Sequence, residues 1–340
     1  MTLDHAVALS LLVDLSRVGL SERLRADDPE LVERAASRRD EARCAREQAE
    51  RNGIHVVAWF DTRFPRMLGE ITDGPPALWY RGQLNVLDAP SVAIVGSRAA
   101  TAVALEAATR IAADLASRGI TIVSGLARGV DSAAHRGAME TGRTVAVLGS
   151  GLDHIYPPEH VALARQIAEH GLVLSEYAPG TPPLPSNFPM RNRLISGLSR
   201  AVVVIEASEN SGSLITASCA LEQGREVMAV PGNVLSGRNR GGHALIRDGA
   251  KIVECADDIV EDLGLGVEHA PTPQMVANNC VTETSGDAVL GRMESGQAYD
   301  LEALASGSGL DMGRLLPRLM ELELAGLIRR AEGGRFVRSV

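Results

Sequence analysis

The chain has 340 residues, 45% of them apolar, and a net charge of −9. That is room for two or three domains, and no apolar run is long enough to span a membrane. An acidic chain cannot hold nucleic acid by its global charge, so a nucleic-acid site here must gather its positive charge locally. Lys251 is the only lysine among 34 basic residues. Arginine grips phosphate through a planar fork that lysine lacks, although a GC-rich genome would give the same bias.

Residues 1–52 read as helical. Leu9, Leu12, Val13 and Leu15 share one face, and Asp28 followed by Pro29 and Glu30 looks like a cap opening a second helix to about residue 51. The opening segment has no basic n-region or A-x-A site, so it is not read as a signal peptide, and the cytoplasm is the expected location. Residues 53–90 read as a mixed connector with strand character at Ile54–Trp59 and Ala77–Tyr80. From Ser91 the pattern changes. SVAIVG, ITIVSG, TVAVLG, LVLSE, AVVVIEA, EVMAVPG and AKIVE are short apolar runs, most of them separated by helical segments. This predicts an α/β domain over 91–263, Rossmann-like and doubly wound, with a mostly parallel sheet covered on both faces. Ligands on such sheets bind beyond the carboxyl ends of the strands. Residues 264–296 read as a flexible linker, and 297–340 as helix, helix and hairpin, the outline of a winged helix. The cysteines, Cys44, Cys219, Cys255 and Cys280, form no C-x-x-C pair and read as buried or neutral thiols in a reducing compartment.

The strand ends carry the chemistry. After the first run, Gly96-Ser97-Arg98 puts an arginine where a dinucleotide fingerprint needs its second glycine. Arg98 reads either as a phosphate ligand at a helix start or as a structural ion-pair partner. Gly125 and Gly129 bracket a tight turn that offers amide donors, with Asp131 as a plausible cap and His135 one turn into the helix. Gly149-Ser150-Gly151 with Glu176 is the best case for a nicotinamide cofactor, but His154 stands at the third glycine position. Tyr156 beside that turn suits base stacking instead. Arg191, Asn192 and Arg193 suit a sugar-phosphate backbone, the alternative being structural and surface arginines. Gly212 and Ser213 lie in a Gly-Ser turn that opens a helix, an anion site without the P-loop lysine. No G-x-S-x-G elbow or paired carboxylates point to catalysis, and no cofactor or metal is expected.

Taken together, SGLARGVDSAAH, GSGLDHIYPP, FPMRNRLISGLSRAVVVIEA, SGSLITASCALEQGREVMAVPG and GGHALIRDGAKIV, in this order, resemble the DprA/Smf family of DNA-processing proteins of natural transformation. The segment WFDTRFPRMLGEITDGPPALWYRG is similar to the same family. The resemblance implies an extended Rossmann fold that binds single-stranded DNA, a homodimer, and transfer of RecA recombinase onto the incoming strand. It also implies a helical SAM-like amino-terminal domain and a winged-helix appendage. On the family pattern Gly96, Ser97 and Arg98 hold phosphate, and Gly125, Tyr156, Arg191, Asn192, Arg193, Gly212 and Ser213 line the same groove. Val103-Ala104 stands where many members have Tyr-Gly, so an aromatic contribution from that spot is not expected. Leu221, Ile246 and Ile252 are candidate dimer contacts, with ordinary core packing as the alternative. Two other readings compete. A lysine-decarboxylase-like (LOG) nucleotide hydrolase would need a glutamate where Thr216 stands. A transcription regulator working through the winged helix would need a more basic helix than one carrying Glu321 and Glu323.

Overall fold

The computed structural model describes residues 1–12, 17, 19–265, 289–293, 297–310, 312–324, 327–331 and 335–338. They fall into two compact units, Met1–Val267 and Glu268–Val340. The first opens with helices α1 (Leu3–Ser10), α2 (Leu20–Arg25), α3 (Pro29–Ser37) and α4 (Arg39–Arg51). Asp28 caps α3 by accepting from the Glu30 amide at 2.9 Å, as its sequence predicts. The single helix expected to residue 51 is two, because Arg38 leaves helical geometry (φ −116°, ψ 16°). The break lets Leu31 and Ala35 on one piece and Ala42 and Ala49 on the other bury in one core. Leu9 is buried and Leu12 packs beside it, while Val13 and Leu15 lie outside the described residues.

Strands β1 (His55–Ala58) and β2 (Ala77–Gly82) follow, with the short helix α5 (Arg66–Gly69) between them. The expected sheet runs through β3 (Ser91–Gly96), α6 (Ala102–Ser117), β4 (Thr121–Ser124), α7 (Val130–Thr141), β5 (Thr144–Val147), α8 (Val161–His170) and β6 (Leu172–Ser175). It continues through α9 (Asn187–Gly197), β7 (Ala201–Ile205), α10 (Gly212–Glu222), β8 (Glu226–Ala229), α11 (Arg240–Arg247), β9 (Lys251–Ile252) and α12 (Ala256–Asp262). All seven apolar runs are strands. The nine-stranded order is β1-β2-β6-β5-β4-β3-β7-β8-β9, parallel from β6 to β9. The segment read as a connector is part of this sheet: β2 pairs antiparallel with β6, and β1 with β2.

The runs are apolar at every position because both faces are covered. Val92 and Ile94 face the cluster that includes Ile111 of α6, while Ala93 and Val95 face Leu194 of α9 and Ala217 of α10. Each of the valine, isoleucine and leucine side chains contributes about 1.5–3 kcal/mol when fully buried. The chain winds outward from β3 through β4, β5 and β6, then returns to lay β7 on β3's other side. That reversal opens a crevice at the carboxyl ends of β3 and β7.

The second unit has β10 (Ala298–Tyr299), α13 (Leu301–Ser308), α14 (Met312–Leu324), β11 (Ile328–Ala331) and β12 (Arg335–Arg338). Asp300 caps α13 through the Ala303 amide at 2.8 Å, and Leu315, Leu319 and Leu322 are buried as their spacing predicts. The expected hairpin gains a third strand, in the order β10-β12-β11. Val289, Leu290 and Met293 also lie in this core, so the packed unit begins before residue 297. Most of the segment read as a linker, 266–288 and 294–296, lies outside the described residues. So does Cys280, while Cys44 and Cys255 are exposed thiols rather than buried ones.

Candidate nucleic-acid interface

A cavity of about 460 Å³ opens at the β3/β7 crevice, lined in part by Gly96, Ser97, Arg98, Arg191, Asn192, Gly212 and Ser213. A smaller recess beside it is lined in part by Gly125, Tyr156, Phe188, Arg98 and Arg191. Nine of the ten residues chosen from the sequence therefore meet here.

The Gly96-Ser97-Arg98 turn is held from below. A Cβ on Gly96 would stand 1.9 Å from the Ile205 carbonyl oxygen, so β3 and β7 approach this closely only with glycine there. The Ser97 amide donates to the Glu206 carbonyl at 2.9 Å. The Glu206 carboxylate accepts from the Thr101 hydroxyl at 2.6 Å and from the Thr101 amide, which anchors the start of α6. Arg98 itself is exposed. Its guanidinium lies 5.9 Å from the Phe188 ring centroid, and it makes no ion pair among the described residues. Among the described residues no ion pair holds Arg98, and it lines the crevice.

Opposite stands the start of α10. Ser211 caps it, with its Oγ 2.7 Å from the Ser213 Oγ. The Asn192 amide group donates to the Gly212 carbonyl at 3.2 Å and ties α9 to this turn. A Cβ on Gly212 would meet nothing, so the turn's open side faces the cavity. Free N–H groups at a helix start and the helix dipole favour an anion.

Arg191 forms the floor. It is buried, with its Nη1 donating to the carbonyls of Gly125 (2.8 Å) and Val147. Its Nε has no hydrogen-bond partner. Burial lowers its pKa to about 10 against the opposing pull of Asp131, so it stays charged at neutral pH. Asp131 is not the helix cap. Gly129 occupies that position, and Asp131 accepts from the amides of Gly125 (3.1 Å) and Ala127 (3.3 Å), which shapes the loop. Burial pushes its carboxyl pKa up. A Cβ on Gly125 would lie 2.5 Å from the Arg191 guanidinium, so glycine is required for that packing.

Arg193 is not brought to the crevice. It is buried on the other side of α9, where its Nη2 meets Glu176 at 2.6 Å and its Nε meets Asp73 at 3.3 Å. Arg17 meets the same Glu176 at 2.7 Å. Glu176 is thereby committed to two arginines instead of a cofactor ribose. Gly149 has a local task too: a Cβ there would press on the Phe188 ring at 3.0 Å.

A family model for DNA recombination-mediator protein A matches residues 55–264, and one for the DprA winged helix domain matches residues 277–334. The chain belongs to the DprA/Smf family. It is 40% identical to Protein Smf of Escherichia coli over 82% of this chain and 76% of that one. It is 46% identical to DNA processing protein DprA of Streptococcus pneumoniae over 59% of this chain and 72% of that one. The X-ray structure of the latter superposes with a TM-score of 0.68 at 36% identity, covering 76% of this chain and 96% of that one. DNA processing protein A of Helicobacter pylori, whose structure was described for its single-stranded DNA binding mode, gives 0.57 at 30% identity, over 62% and 96%.

Against the DprA fold, the sequence reading missed Phe188. Its ring sits 5.4 Å from that of Tyr156, tilted by 47°, so the two form one aromatic wall. The signal was present. Aromatics are only 3% of the chain, and Phe188 stands three residues before Arg191.

Proposed function

We propose that this crevice binds single-stranded DNA, with a phosphate between Arg98 and the start of α10 and a base against Phe188 and Tyr156. The observation that carries the reading is the unpaired Arg98 guanidinium between an aromatic wall and a helix start. Such a site grips the backbone by charge and takes any base by stacking, so sequence preference is slight and salt dependence strong. The DNA-processing names of the relatives and the single-strand binding of the Helicobacter pylori structure support it. They favour DNA handling over nucleotide hydrolysis, and Thr216 offers no carboxylate for proton transfer.

On this reading the protein acts by binding, without catalysis or cofactor, and hands the strand to RecA recombinase in the cytoplasm. Among the described residues no helix is long and apolar enough to cross a membrane. The working division is a SAM-like 1–52, a Rossmann-like unit that takes in the strands of 53–90 together with 91–263, and a winged helix whose core reaches back to Val289. The protein pairs with itself through Leu221, Ile246 and Ile252. Leu221 and Ile252, at 63% and 53% exposed, support this, because core packing does not account for them.

Photocrosslinking a 5-iodouracil-substituted strand and mapping the modified peptides tests the site. Adducts at Phe188 or Tyr156 are expected, and adducts confined to the winged helix would refute it.

A further inference from the structure

Arg128, on the Gly125–Gly129 loop, lines the aromatic recess together with Tyr156. Its side chain is 60% exposed, yet its Nε donates to Glu159 Oε1. Hydrogen bonding to Glu159 raises the arginine's pKa, and the same bond holds the Glu159 carboxyl below the usual range. Both charges are therefore kept. We infer that Arg128 is a further phosphate-binding residue, masked in the free protein by Glu159, and that an entering strand exchanges the carboxylate for a phosphate. This deepens the single-strand reading and rests on it.

The loop is built to hold Arg128 in place. Leu126 is buried in the left-handed region (φ 58°), which is costly for a leucine, and Gly129 is at φ 76°. Asp131 fixes the loop through the Gly125 and Ala127 amides, and His160 Nδ1 lies 2.8 Å from the Leu126 carbonyl. That last contact joins the loop to the 3-10 turn Pro158–His160, which carries Glu159. The two charges are thus brought together by a fixed loop and a fixed turn, not by chance meeting of long side chains. The exchange is inexpensive because the pair is solvated: Glu159 is itself 47% exposed and regains water when released. A backbone phosphodiester, singly charged like the carboxylate, offers the guanidinium two oxygens for a bidentate contact in return.

The test measures anisotropy of a labelled oligo-dT strand over a salt series, with wild type, Arg128→Ala, Glu159→Gln and the double variant. Arg128→Ala is expected to lower the salt slope by about 0.7, the value for one single-strand phosphate. Glu159→Gln is expected to tighten binding several-fold in the wild-type background and to change nothing in the Arg128→Ala background. Wild-type slope and affinity in Arg128→Ala overturn the inference. Equal tightening by Glu159→Gln in both backgrounds also overturns it, since removing a negative charge then suffices. If Arg128→Ala weakens binding but Glu159→Gln has no effect, the masking is wrong. A wild-type protein that fails to bind the strand removes the single-strand reading itself, and this inference with it.

Discussion

Replacing Arg98 with alanine isolates the crevice's free charge. Arg98 is exposed and makes no ion pair among the described residues, so its loss costs the fold within about 0.5 kcal/mol. Its loss to binding is larger. A hydrogen bond to a charged group is worth about 1.5–3 kcal/mol, which predicts a fall in affinity of roughly 10- to 150-fold. If it neutralises one phosphate, the slope of log K against log salt flattens by about 0.7. Fourfold more salt then costs the variant about 2.6-fold less than it costs the wild type, from the same slope. Arg98→Lys separates charge from shape: the slope stays, while affinity drops because the fork is lost. Anisotropy of a labelled oligo-dT strand at several salt concentrations reads both quantities. Unchanged slope and affinity in Arg98→Ala would refute the placement of a phosphate there.

Other residues give separate tests. Phe188→Ala should weaken oligo-dT binding by about 1–3 kcal/mol with an unchanged salt slope, and Phe188→Trp should restore it; a flattened slope would contradict a stacking role. Gly125→Ala forces a Cβ against the buried Arg191 guanidinium, so thermal denaturation should show a loss of about 1–3 kcal/mol. Wild-type stability there would mean Arg191 is not held as described. His135 is buried with a pKa lowered to about 3, burial being the largest cause. Its folded state resists protonation while the unfolded chain takes a proton near pH 6.5, so stability falls as pH drops from about 6.5 towards 3. At pH 5 the penalty is about 2 kcal/mol. Urea titrations read by tryptophan fluorescence at pH 7 and 5 measure it, and His135→Gln should flatten the difference.

The fold was legible because its strands are apolar on both faces and alternate with helical segments, the pattern of a covered parallel sheet. The crevice followed from the rule for strand ends, and Gly96, Gly125 and Gly212 marked its turns. Arg193 shows where the pattern fails. Arg191 and Arg193 are two residues apart on one helix, and side chains at that spacing do not share a face. Both could not floor the crevice, and sequence alone did not say which one would. The strands at 55–58 and 77–82 were visible, but their antiparallel pairing to β6 is a long-range choice that no local signal carries. The Tyr156–Phe188 wall and the Arg128–Glu159 pair each join segments about 30 residues apart. They exist only once the loops after β4, β5 and β6 converge.

The most direct test of the central claim is fluorescence anisotropy of a labelled poly-dT strand, titrated with the protein at two salt concentrations with duplex DNA as competitor. Tight binding that weakens steeply with salt and that duplex does not displace is expected. No binding at low salt, or ready displacement by duplex, would contradict it.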